Sequence, residues 1–103
     1  MWYAVSTMSQ ERPDHAQITA AVRAAEAVVG SAAAVRGRYH RRKAPKRQAS
    51  LEDARARCAD AAKPLRSWIG MVAWGGIELD DELAMKGAVE KLRYERRQID
   101  KML

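Results

Sequence analysis

Arg36, Arg38, Arg41, Arg42, Lys43, Lys46 and Arg47 place seven cations within twelve positions, with no acidic residue among them. A guanidinium forks to two phosphate oxygens and an ammonium acts as a compact point charge, so this spacing suits the backbone of a polyanion. Tyr39 and His40, set between the cations, add rings able to stack on bases. The chemistry expected of "RGRYHRRKAPKR" is reversible binding to DNA or RNA through phosphates. Little or no sequence specificity is implied, because phosphate contacts position a protein without reading bases.

The competing reading is a solvated linker between helices. Charge distribution weighs against it. The chain has a net charge of +6, yet Met1 to Val35 carries −1 and Gln48 to Leu103 is neutral, so the dodecapeptide alone supplies +7. Charges this crowded repel one another through ordinary salt, and neither flank needs them.

Other chemistries are excluded more simply. Cys58 is the one cysteine and His15 and His40 are the two histidines, which permits no intrachain disulfide and no zinc-ligand set. Glu78, Asp80, Asp81 and Glu82 form an acidic cluster, but a helix N-terminus accounts for it through the helix dipole. No catalytic residue, metal or cofactor is expected, and the protein is not read as an enzyme. A single thiol and an N-terminus without a basic and apolar leader fit a cytoplasmic protein. The longest unbroken apolar run, Trp68 to Ile77, is ten residues against the roughly 20 a spanning helix needs, so no transmembrane segment is expected. High Ala and Arg content is compatible with a bacterial or phage origin.

Trp68, Met71, Val72 and Trp74 are the other candidates for contact, as a protein interface. They suit a structural or adaptor protein that self-associates, as a homodimer for example, or binds another protein through its helical seams. A third class, a membrane-surface protein, needs the basic loop and exposed tryptophans on one side.

The elements that position these residues follow from periodicity. Of the 103 residues, 20 are Ala, while Leu, Ile and Val together number 17 and Phe is absent, which predicts strong helicity around a thin core. Asp14 and Gln17 have the spacing of a capping box. Behind them Ile18, Ala21, Val22, Ala25, Val28, Val29, Ala32 and Val35 form one stripe, with Gly37 as its stop. Ser50 and Asp53 read as the next helix start, and Leu51, Ala54, Cys58, Ala61, Leu65, Trp68 and Val72 as its seam. Pro64 inside that seam predicts one kinked helix or two collinear ones, and Gly75-Gly76 ends it. The last helix starts at Asp80, with Met85, Val89, Leu92, Arg96, Ile99 and Leu103 as its seam and Glu82–Lys86 and Arg96–Asp100 as i,i+4 pairs.

The expected fold is therefore all-α, a small antiparallel three-helix arrangement. Residues 1–13 form a flexible tail, and 14–103 a single domain whose basic loop spans 36–49. Gly75-Gly76 suggests a helix-turn-helix corner, but Asp80, Asp81 and Glu82 would then meet phosphates with negative charge, so an αα-hairpin is the better reading.

Overall fold

A computed structural model describes residues 12–103 as three long helices, α1 (His15–Arg38), α2 (Arg47–Gly70) and α3 (Leu79–Met102), with one 3-10 turn at Val72–Trp74. Each helix packs against the other two, which makes the small all-α arrangement expected from the sequence. The capping box forms as expected. Asp14 Oδ1 accepts the Gln17 amide and Gln17 Oε1 accepts the Asp14 amide, both at 2.8 Å.

Several boundaries differ from expectation: α2 stops at Gly70, which leaves Val72 in the 3-10 turn, and α3 starts at Leu79, one residue early. The packed body begins before residue 14, since Pro13 is buried and the Arg12 guanidinium donates to the Gly75 carbonyl at 2.6 Å. The rest of the expected tail, residues 1–11, lies outside the described residues. α1 runs through Gly37 and ends at Tyr39, whose amide donates to the Val35 carbonyl at 3.1 Å. Glycine permits a left-handed stop without compelling one, and the buried Tyr39 side chain decides where the chain turns. α2 begins at Arg47 with Lys46 as its N-cap, so Ser50 lies within the first turn instead of capping it. The connection therefore shortens to residues 39–46.

α2 takes the unbroken alternative, one helix containing Pro64. The missing amide hydrogen of Pro64 removes the intrahelical donor to the Asp60 carbonyl. Gly75 and Gly76 form the second connection with φ of 82° and 84°, a region that disfavours side chains.

The core repeats every seven residues in all three helices. Ile18, Ala25, Ala32 and Tyr39 are buried from α1 and its cap, Leu51, Cys58 and Leu65 from α2, and Met85, Leu92 and Ile99 from α3. A seven-residue period holds one face of each helix against its neighbours along the whole bundle. α1 gives mostly alanine to this seam, which allows close approach but contributes little area at roughly 25 cal/mol per Å². The bulk comes from α2 and α3.

A second series on α3, Asp81, Ala88 and Glu95, is also buried, and its two acids each meet α1. His15 Nδ1 donates to Asp81 Oδ1 at 2.8 Å, and Arg36 donates to both Glu95 oxygens, from Nε at 2.9 Å and from Nη2 at 3.2 Å. Successive residues of α1 thus meet successive residues of α3, so these two helices run parallel and α2 runs against both.

The expected α3 seam is corrected accordingly. Arg96 is half-buried with its Nε buried and unpartnered among the described residues, and Leu103 is exposed. Glu82–Lys86 forms at 2.6 Å, but Asp100 pairs with Arg55 of α2 at 3.0 Å instead of Arg96. A cross-helix partner on the same side competes with an intrahelical one worth only a few tenths of a kcal/mol. Cys58 is fully buried, as a seam position should be. Burial pushes its thiol pKa up, reinforced by nearby Glu95 and opposed by Arg96.

By length and composition α1 is apolar enough to cross a membrane, and only 17% of its most apolar window is buried within the bundle. Unbroken apolar runs do not reveal this stretch, because Arg23 and Glu26 interrupt it.

Candidate nucleic-acid interface

Up-down-up topology brings three helix ends together: the C-terminus of α1, the N-terminus of α2 and the C-terminus of α3. The basic connection lies at this end. Its two outer cations are structural. Arg36 is bound to the buried Glu95, whose hydrogen bonds hold the guanidinium pKa above its ordinary value. Arg47 Nε donates to the Tyr39 carbonyl at 3.2 Å, tying the two ends of the connection together.

Tyr39 is the third fastening. Its side chain is buried, so the ring is a plug beneath the loop and is not offered to bases, contrary to the stacking role expected from its type. A side-chain hydrogen bond with Ser50 lowers the pKa of the phenol. Burial acts in the opposite direction, and Arg38 and Lys46 lower it further.

Between these fastenings the other cations stand free. Arg38, Arg41, Arg42, Lys43 and Lys46 are exposed, as is His40, and none of the five is in an ion pair among the described residues. Along the helices the cations are more dispersed, and six of them, Arg55, Arg57, Lys63, Lys86, Lys91 and Arg93, pair with carboxylates, while Arg23, Arg66, Arg96, Arg97 and Lys101 do not among the described residues. No residue of the basic connection has positive φ, so the cluster is held without backbone strain.

α3 supplies what the sequence reading did not assign here. Gln98, Lys101 and Met102 join Arg36, His40 and Arg47 around a cleft of about 410 Å³. Lys101 extends the basic surface. Arg93 pairs with Glu90 and lines a separate groove with Arg66, Ile69 and Lys86. The only signal in the sequence was the basic C-terminal stretch itself. Its orientation depends on the α3 register.

The second set of candidates, Trp68, Met71, Val72 and Trp74, lies at the opposite end of the bundle. Trp68 packs against the core and is half-buried, as are Met71 and Val72, while Trp74 is exposed. Leu79 and Leu83, four residues apart on α3 and both exposed, add apolar surface at that end. Among the described residues no group of three or more His, Cys, Asp or Glu is placed to hold a metal. Comparison with protein-family models, curated proteins and solved structures finds no match for this chain.

Proposed function

We propose that this protein binds nucleic acid through phosphate contacts made by the connection between α1 and α2, with weak or no sequence specificity. The observation that carries the reading is the crowding of free cations: five exposed and unpaired side chains lie within nine positions at one helix connection, whereas the unpaired helical cations elsewhere, Arg23, Arg66, Arg96, Arg97 and Lys101, are spread over three helices and interspersed with six that pair with acids. Arg38, Arg41, Arg42, Lys43 and Lys46 make the contacts, while Arg36 and Arg47 hold the connection in place. The proposed setting is the cytoplasm, and no catalytic step is included.

Titration of labelled DNA and RNA at several salt concentrations tests this directly. Five phosphate contacts on a duplex give a slope of log K against log salt of roughly −4 to −5. With Arg41, Arg42 and Lys43 all changed to Ala, three contacts are lost and the slope falls to roughly −2. Absent binding, or an unchanged slope in the triple variant, rejects the proposal.

A second reading rests on the other end of the molecule. Exposed Trp74, Leu79 and Leu83 fit a structural or adaptor protein that meets itself or another protein there. Sedimentation over a wide concentration range distinguishes it, since self-association makes the mass rise with concentration.

A further inference from the structure

We propose that the cleft at the loop end of the bundle receives one unpaired nucleotide, so that the ligand is single-stranded nucleic acid in preference to duplex. This rests on the phosphate-binding reading above and specifies its ligand. The exposed loop by itself favours the opposite: duplex has the higher charge density, and counterion release scales as about 0.9 per contact on duplex against about 0.7 on single strands.

The cleft differs from the loop in composition and shape. Its volume of about 410 Å³ lies toward the small end of ligand sites, which run from roughly 300 to 1,000 Å³. That suits one nucleotide unit. A base held in a duplex is stacked and paired and cannot enter, whereas an unpaired base can leave its strand and stack on a protein ring.

The walls match the three parts of such a unit. Arg47 and Lys101 provide cations without a carboxylate partner among the described residues. The exposed His40 ring and the Met102 thioether offer a stacking face and an apolar wall. The Gln98 amide carries both donor and acceptor for a base edge. Arg36 also lines the cleft, its charge already matched by Glu95.

Opposing fields are present too. The carbonyl ends of α1 and α3 face this end and disfavour an anion. The N-terminus of α2 offsets them, with no side-chain cap and no acid in its first turn. The phosphate is therefore expected beside Arg47, at the start of α2, with the base toward His40 and Met102.

Competition between a labelled 12-nucleotide single strand and its own duplex, at about 150 mM salt, tests the assignment. The expected result is about tenfold tighter binding of the single strand, the scale of one stacked base. His40→Ala and, separately, Gln98→Ala should reduce single-strand affinity to the duplex level and leave duplex affinity unchanged, with helical content retained. Equal or tighter binding of duplex by the unaltered protein, or a single-strand preference that survives both substitutions, overturns the cleft assignment alone. If neither form binds, the phosphate-binding reading falls and this inference with it.

Discussion

The two connections of the bundle reverse the chain by opposite means. Between α2 and α3 the reversal depends on backbone: Gly75 and Gly76 occupy positive φ, and a Cβ on Gly76 would collide with the Arg12 guanidinium. Between α1 and α2 every residue keeps ordinary dihedrals, and side chains make the closure: Tyr39 buried at the start of the loop, Arg47 on the Tyr39 carbonyl, Arg36 on Glu95. A turn made by backbone geometry asks little of its flanking side chains, and at that end exposed Trp74 and Leu79 alternate with the acids Glu78 and Asp80. A turn fastened by three side chains can carry an unfavourable row of like charges between its fastenings.

Substitutions can break or sharpen this contrast. The largest effect is expected at Arg36→Met, which leaves the carboxylate of Glu95 at 5% exposure without its counter-charge. A loss of about 3 kcal/mol in urea denaturation is expected, since breaking one side of a buried pair strands the other. A loss under about 1 kcal/mol would mean that the pair behaves as a surface contact.

Gly75→Ala comes next. Gly75 has φ 82° and ψ 175°, a combination reserved for glycine, so the substitution should cost about 2 kcal/mol by the same measurement. Tyr39→Phe removes the hydroxyl while retaining the ring, and a loss of at most about 1 kcal/mol is expected. A neutral result there would show that the buried ring alone closes the basic connection.

The smallest effect has the opposite sign. Gly37 is exposed within α1 and an added Cβ meets nothing, so Gly37→Ala should stabilise by about 0.5 to 1 kcal/mol. Destabilisation would restore Gly37 as a left-handed helix stop and move the loop boundary back to where the sequence pattern put it.

Exposed Leu79 and Leu83 and the partly exposed valines of α1 show how thin the core is. With alanine supplying much of α1's contact, hydrophobic area constrains sliding of α1 along α3 only weakly. The two-pronged Arg36–Glu95 pair at one end of the α1–α3 contact favours a single register by geometry, whereas the His15–Asp81 contact at the other end is open to solvent on the His15 side. Registry is the best-attested use of buried polar pairs.

How much of this was legible beforehand varies by residue. Ile18, Leu51, Cys58, Leu65, Met85, Leu92 and Ile99 could be read as core because a helix repeats its face at seven-residue spacing whatever it packs against. The Asp14–Gln17 box was legible because both partners lie within one turn. Glu95 and Asp81 were not, since an acid on a buried face is tolerated only where another helix brings a partner. Tyr39 reads locally as an exposed aromatic among cations, and only the fold places it under the loop.

The same division holds for the candidate interface. The sequence alone determined that the net charge is concentrated in residues 36–47 and that helices flank it, because charge and periodicity are local properties of a chain. Tertiary structure decided which cations are spent on the fold and which stand free. It also decided that Gln98, Lys101 and Met102 join them, because residues so far apart in the chain meet only when α3 returns parallel to α1.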